Sequence, residues 1–290
     1  MHNITIGIPT YKRPLLLKRA LNSILKSKVK NLKIIVSIDG KDEMYSQYKK
    51  IEAYFSHFNF IKFYYQKKKI GSLSNFFFLR DITQTNFFMW LADDDEIDGL
   101  TINKLYEILK KNNKIVTAVP YWQLVYENNK RKIIKPETFN SGNLLLRLLK
   151  YLHNPDDCFF YGLHRTEFLK KCSFDKYWWP NNLSLSNWCY VFQIDLIIQG
   201  KIILLNNKKY KWINHDYGKK FYTRSKANNY LHHLFFIIRK INIYYLYLIK
   251  IFKWKKYHIL LIIFLPSLFF LVRDIIYKEP IYKKIKFNFK

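Results

Sequence analysis

Cysteine is scarce in this chain: three among 290 residues, Cys158, Cys172 and Cys189, scattered and without metal-ligand spacing. That excludes a disulfide framework and a zinc site, and favours a reducing compartment. The opening "MHNITIGIPT" lacks the long apolar core of a signal peptide and predicts instead the first strand of a cytoplasmic protein. No uncharged apolar run reaches the ~20 residues that span a bilayer. The longest in the C-terminal region, Tyr257 to Val272, has 16 and lies between Lys256 and Arg273. Internal repeats, helix-turn-helix, zinc-finger and RNA-binding signatures are absent. Acidic residues are few, 21 against 50 Lys and Arg, for a formal net charge of +29. A surface so basic seeks anionic partners, whether nucleic acid, phospholipid head groups or phosphorylated substrates.

What is present reads as a globular α/β protein: 49% of residues are hydrophobic and 24% charged. Apolar runs at 3–9, 32–40, 60–66, 86–92 and 114–122 predict strands. Between them, 13–27, 42–55, 72–84 and 100–111 predict helices, with Pro14 suited to a first helical turn. This alternation predicts a mostly parallel sheet with helices on both faces, and ligands outside the carboxyl ends of the strands. Past residue 122 the rhythm loosens: a hairpin is expected at 125–135, a helix at 141–152, a strand turning into a helix at 159–171, and a helix then a strand at 186–206. The last 60 residues carry 12 Lys and Arg against two acidic residues. They predict amphipathic helices lying in an anionic membrane interface, or packed as an extension on the domain.

The sharpest feature is "FFMWLADDDEIDG", residues 87–99. A buried strand runs directly into Asp93, Asp94 and Asp95. Adjacent carboxylates repel unless something positive joins them, and oxygen-only donors favour Mg²⁺ or Mn²⁺. Such ions take one or two protein carboxylates and complete their shell with substrate phosphates, which would also suit basic surroundings. The competing account is an acidic first turn for the next helix, with Asp98 as its cap.

"ITIGIPTYKRPLLLKRALNSIL", "IIVSIDG" and "NFFMWLADDDEIDG" resemble, in order and spacing, segments of family-two inverting glycosyltransferases with the GT-A fold. The resemblance covers roughly residues 3–215. It implies a GT-A domain at 1–220, divided into a nucleotide-binding half (1–122) and an acceptor-side half (123–220); the composition of the remainder predicts a basic amphipathic helical tail at 221–290. The resemblance further implies that Pro9, Thr10 and Tyr11 line the nucleotide with Arg13 just behind, and that Asp39 accepts a hydrogen bond from the base, usually uracil. Asn75 and Arg80 would contact the nucleotide or diphosphate. Asp93 and Asp95 would form the Asp-x-Asp pair around Mn²⁺ or Mg²⁺, with Asp94 in an ambiguous register. His215 would help to hold metal or diphosphate, and Arg165 would contact a phosphate or the acceptor.

The sequence departs from the family where an Asp general base is usual. "LSNWCYVFQIDLIIQG" places Asn187 or Trp188 there, and an amide is no useful base. Asp195, Asp157 and Asp175 are the substitute candidates. The expected activity is metal-dependent transfer, with inversion, from a nucleotide-sugar donor, a UDP-sugar first. The acceptor would be a hydroxyl of a surface glycan or lipid-linked glycan at the inner face of the cell membrane. A catalytically inactive relative that binds nucleotide or glycan is the alternative, and a nucleic-acid-binding protein, which leaves "DDD" unexplained, comes last.

Overall fold

The computed structural model describes residues 3–216 apart from 30, 42, 127, 154–157, 173–187 and 210; beyond 216 it describes only Leu248 and Leu268. The expected tail and the stretch 257–272 therefore lie outside the described residues, as do Asp157 and Asp175. Among the described residues no helix is long and apolar enough to cross a membrane.

In chain order the elements are β1 (Ile4–Thr10), α1 (Pro14–Leu25), β2 (Leu32–Ile38), α2 (Tyr45–Tyr54), β3 (Ile61–Tyr65) and α3 (Ser72–Asp81). They continue with β4 (Phe87–Trp90), β5 (Glu96–Ile97), α4 (Gly99–Lys111), β6 (Ile115–Val119), β7 (Tyr121–Tyr126) and β8 (Arg131–Ile134). The last are α5 (Leu144–His153), β9 (Leu163–Arg165), α6 (Thr166–Lys171), α7 (Trp188–Gln199), β10 (Lys201–Leu204) and β11 (Lys211–Asp216). They fall into two compact units, the second made of 139–157, 172–200 and 222–290. In that unit α5 packs on α7, and the Arg147 guanidinium donates to the carbonyl oxygens of Ile197 (2.9 Å) and Ser141 (2.8 Å).

The first unit is built on a seven-stranded sheet in the order β10-β6-β9-β4-β1-β2-β3. Every pairing is parallel except those of β9, which runs antiparallel between β4 and β6. The mixed, mostly parallel α/β fold expected from the sequence is therefore the fold observed. Strands covered on both faces read as continuous apolar runs, which is why β1, β2 and β4 were legible; the edge strand β3 is only partly buried and shows by its aromatic residues. Ile4, Ile6 and Ile8 of β1 join a core with Leu17, Leu21, Tyr48, Ile102 and Leu105. The other face of β1 carries Thr5, bonded to Thr85 Oγ1 at 2.7 Å, and Gly7. A Cβ on Gly7 would fall 2.7 Å from the Phe88 ring, so the small residue lets that aromatic lie flat on the sheet.

The run 114–122, expected to form one strand, is two. Pro120 has no N–H to give to a ladder, and the chain leaves the first sheet there. β7 enters a second sheet, β5-β11-β7-β8, in which β7 and β8 form the expected hairpin. β11 pairs parallel to β7 and antiparallel to the two-residue β5, which immediately follows the acidic run.

Candidate functional site

The carboxyl ends of β1, β2 and β4 are neighbours because these strands are neighbours and parallel. Packing fixes the last of them. Trp90 stacks on Phe160 at 4.4 Å between ring centroids with an interplanar angle of 9°, and donates its indole N–H to the Phe76 carbonyl oxygen at 2.9 Å. A stacked pair of this kind contributes about 0.5–1.5 kcal/mol beyond burial. Three residues beyond Trp90 the chain emerges at Asp93.

Asp93 is 1% exposed. Its Oδ2 accepts from Thr10 Oγ1 at 2.7 Å, and the backbone N–H of Tyr11 also points to the carboxylate. Since the Thr10 hydroxyl proton is spent on Asp93, the Tyr48 hydroxyl, 3.2 Å away, donates to Thr10. The same Tyr48 oxygen accepts from the Arg13 backbone N–H at 3.0 Å. Oδ1 of Asp93 faces Arg13 Nη2 at 2.9 Å without hydrogen-bond alignment, an ionic contact. Burial pushes the Asp93 carboxyl up to about 7; Arg13 and Thr10 pull the other way, and Asp94 adds to the rise.

Asp94 is partly exposed and accepts from Arg13 Nη1 at 2.7 Å. Its backbone carbonyl accepts from Arg19 Nη2 at 2.5 Å, and Arg19 Nε lies 3.3 Å from Glu96. Asp95 turns inward instead: it is 1% exposed and its Oδ2 accepts from Trp212 Nε1 at 2.8 Å. Trp212, on β11, stacks on Trp122 at 5.9 Å and contacts the Tyr161 ring at 5.0 Å. Asp98 is the helix cap, accepting from Leu100 N at 2.8 Å. The capping account therefore explains Asp98 and leaves the preceding three Asp to other partners.

At the end of β2, Asp39 is buried and both its oxygens are engaged by backbone. Oδ1 accepts from Ile70 N at 2.7 Å, and Oδ2 from Gly71 N at 3.1 Å. Gly71 caps α3 with φ +86°, so the carboxylate sits where the helix dipole favours negative charge. Asn75, in the first turns of α3, is locked to β2. It accepts from Ser37 Oγ at 2.5 Å and donates to the Ser37 carbonyl oxygen at 3.0 Å.

Pro9 is buried in β1 beside Ser37. Tyr11 is partly exposed, with the Lys69 ammonium 4.4 Å from its ring centroid. The site thus gathers Pro9, Thr10, Tyr11, Arg13, Asp39, Asn75, Asp93, Asp94 and Asp95. Arg80 is set apart from them. It pairs with Asp81 at 2.7 Å and lies over Phe77 in the last turn of α3, which points away from the strand ends. Arg165 donates to the carbonyl oxygens of Leu109, Asn112 and Ile115, closing the end of α4. The His215 backbone pairs opposite Val125, and its side chain lies outside the described residues. Asp195 is 1% exposed on α7, in the other unit.

Sequence reasoning missed Tyr48, Arg19 and Trp212. Tyr48 and Arg19 sit on helices whose polar residues carry no motif, and Trp212 is 117 residues from the carboxylate it holds. Among the described residues no three His, Cys, Asp and Glu side chains are grouped to hold a metal. The carboxylates available are Asp93 and Asp94, bridged by Arg13, with Asp95 turned inward to Trp212. That meets the one-or-two-carboxylate requirement of Mg²⁺ and Mn²⁺ bound together with substrate phosphates.

Comparison with known proteins follows the same lines. The family profile described as Glycosyl transferase family 2 matches residues 5–173, more than half of the chain. No curated protein matches it. The crystal structure of S. aureus TarS 1–349 in complex with UDP-GlcNAc superposes with a TM-score of 0.60 at 14% identity, over 83% of this chain and 66% of that one. TarS 1–349 alone gives 0.57 at 16% identity over the same shares, and the longer S. aureus TarS structure gives 0.55 at 15% over 82% of this chain and 39% of that one. At such identities the likeness is one of fold, and the chain spans just under two thirds of TarS 1–349. The profile match runs from β1 to the end of α6, across Thr10, Arg13, Asp39 and the acidic run, so this chain belongs to glycosyl transferase family 2, with the GT-A fold that its sequence resemblance implied.

Proposed function

We propose that this chain transfers a sugar from a nucleotide-sugar donor, a UDP-sugar, to a hydroxyl of a surface-glycan or lipid-linked acceptor, with inversion at the sugar carbon. One observation carries the reading. Three adjacent strand ends bring Thr10, Asp39 and the pair Asp93–Asp94 to one edge of the sheet, where ligands of parallel α/β sheets bind. The complexes of TarS 1–349 with UDP and UDP-GlcNAc support the choice of uridine.

In this reading Asp39 fixes the loop at Ile70 and Gly71, which forms the wall at the base end of the nucleotide, and Tyr11 supplies an aromatic face. Thr10, held between Tyr48 and Asp93, fixes the turn through which β1 leads to Arg13. Asp93 and Asp95, or Asp94 in the alternative register, with His215 from β11, would hold Mn²⁺ or Mg²⁺. Such an ion supplies Lewis-acid neutralisation of the departing nucleoside diphosphate. Lys69 adds positive charge beside Tyr11, where a diphosphate gains from it. The general base is sought among Asp157, Asp175 and Asp195, as the sequence suggested. The basic C-terminal region would place the enzyme on the anionic inner face of the cell membrane, near lipid-linked acceptors.

The test is calorimetric titration with UDP, GDP, CDP and dTDP, each with and without Mn²⁺, on the wild type and on Asp94→Ala and Asp95→Ala. Metal-dependent binding of UDP that either variant weakens at least tenfold supports the reading. Binding without sugar transfer to any hydroxyl acceptor identifies the inactive, nucleotide-binding relative. No nucleotide binding with or without metal overturns the reading and returns the basic surface to a nucleic-acid or lipid partner.

A further inference from the structure

The acidic run already has a cation, and it is part of the protein. Arg13 extends its guanidinium across two consecutive carboxylates, with Nη2 2.9 Å from Asp93 Oδ1 and Nη1 2.7 Å from Asp94 Oδ2. The two contacts differ in kind. That to Asp94 is a hydrogen-bonded ion pair with a partly exposed carboxylate, whereas that to Asp93 is ionic and unaligned. The Arg13 side chain is part-buried, with 41% of its surface accessible. Its backbone, by contrast, is pinned. Lys12 stands in the left-handed region at φ 56°, Arg13 N donates to Tyr48, and Pro14 begins α1. A fixed root with a part-exposed head, bonded to one carboxylate and only ionically paired with the other, can exchange one anion for another without moving the fold.

We infer that Arg13 is a positioning residue acting as an internal counter-ion that a divalent cation displaces. Without metal, its positive charge offsets the repulsion between Asp93 and Asp94 and keeps the run assembled. A divalent ion binding Asp94 competes for the oxygen that Arg13 Nη1 holds. The released guanidinium then turns its fork to the nearest incoming anion, the donor's diphosphate, for which a planar five-donor cation is suited. Metal and nucleotide would thereby bind cooperatively: the ion alone must evict Arg13, whereas the ion with a diphosphate gives Arg13 a new partner. This rests on the reading of the site as one for metal and nucleotide, and it adds that the chain discriminates against metal without donor.

Calorimetry on full-length wild type, Arg13→Ala and Arg13→Lys tests this, using Mn²⁺ alone and then UDP at saturating Mn²⁺, with a thermal melt of each protein to establish folding. Arg13→Ala is expected to bind Mn²⁺ alone roughly fivefold or more tighter, and UDP with Mn²⁺ roughly fivefold or more weaker, within the usual range of site-to-site coupling. Arg13→Lys should change both in the same directions by less, and it carries the test if Arg13→Ala fails to fold. A merely structural role would weaken both affinities together, so tighter Mn²⁺ binding is the diagnostic readout. Unchanged or weaker Mn²⁺ binding in the variants, with UDP and Mn²⁺ still bound by the wild type, overturns the counter-ion role and leaves the glycosyltransferase reading standing. If the wild type binds neither Mn²⁺ nor UDP, the parent reading fails and this one with it.

Discussion

The indole N–H of Trp212 meets Oδ2 of Asp95 at 2.8 Å, joining the end of the acidic run to a strand of the second sheet. Both groups are buried, Trp212 at 0% and Asp95 at 1% exposure, so neither can exchange the bond for water. Trp212→Phe keeps an aromatic ring beside Trp122 but removes the N–H donor together with one ring of the buried indole. A buried carboxylate left short of a partner costs about 1–3 kcal/mol or more. The expected outcome is a free energy of urea unfolding lowered by at least that amount, with Mn²⁺-dependent UDP binding weakened as Asp95 loses its fixed orientation. An unchanged midpoint would mean that the carboxylate finds another donor.

Asp39 acts on the protein before it can act on any ligand. Its oxygens hold Ile70 N and Gly71 N, and the loop backbone in turn leaves no room beside Gly40, where a Cβ would fall 2.8 Å from Lys69 N. Asp39→Ala orphans the two amides at the start of α3, and hydrogen bonds to a charged group are worth about 1.5–3 kcal/mol. Hydrogen exchange at Ile70 and Gly71 should therefore accelerate roughly tenfold or more even without nucleotide. Exchange that stays slow in the variant while UDP binding is lost would reduce Asp39 to a ligand contact.

Gly99 follows the acidic run and its cap directly, at the first position of α4. A Cβ there would overlap the Ser27 carbonyl oxygen, and backbone cannot swing aside as a side chain can. Gly99→Ala should gain little from helix propensity and lose about 1–3 kcal/mol to overpacking. A denaturant midpoint equal to or above that of the wild type would show that α1 and α4 separate more readily than their packing implies.

How much of this was legible in the sequence follows from where each signal is stored. β1, β2 and β4 are written locally, because a strand buried on both faces is an unbroken apolar run, and the partly buried edge strand β3 by its aromatic residues. Asp39 and the acidic run could be placed because each directly follows such a strand. Sequence could not separate Asn75 from Arg80, two polar residues on one helix. About 7 Å of helix rise divides them, enough to put Asn75 against Ser37 and Arg80 in the last turn with Asp81. β5 has two residues and β11 reads "KWINHD"; neither alternates clearly, and their pairing is set by tertiary contact. Trp212 carried no motif because what matters about it is its partner, which lies in another part of the chain. Arg13 was readable as a neighbour of the nucleotide loop, but its fork across Asp93 and Asp94 was not.

Acid should find one weak point in the sheet at His164. The imidazole is fully buried on β9, with Nδ1 accepting from Thr117 Oγ1 at 2.8 Å and Nε2–H donating to the Phe160 carbonyl oxygen at 2.8 Å. Burial pushes its pKa down to about 4. Between the ordinary histidine value near 6.5 and about 4, the unfolded chain binds a proton at this residue that the folded chain refuses. The unfolded state thus holds more protons across that window, and stability falls as pH drops through it, by roughly 3 kcal/mol in all at ~1.4 kcal/mol per pH unit. Carboxylates elsewhere titrate in the same range, so the contribution must be isolated by difference. His164→Gln keeps an acceptor and a donor but cannot ionise. The variant should be the less stable protein at pH 7.5, and its deficit against the wild type should shrink by about 2–3 kcal/mol at pH 4.5. Urea unfolding of both proteins at the two pH values measures the gap, and a deficit that stays constant would mean that His164 takes up its proton in the folded sheet as readily as in the unfolded chain.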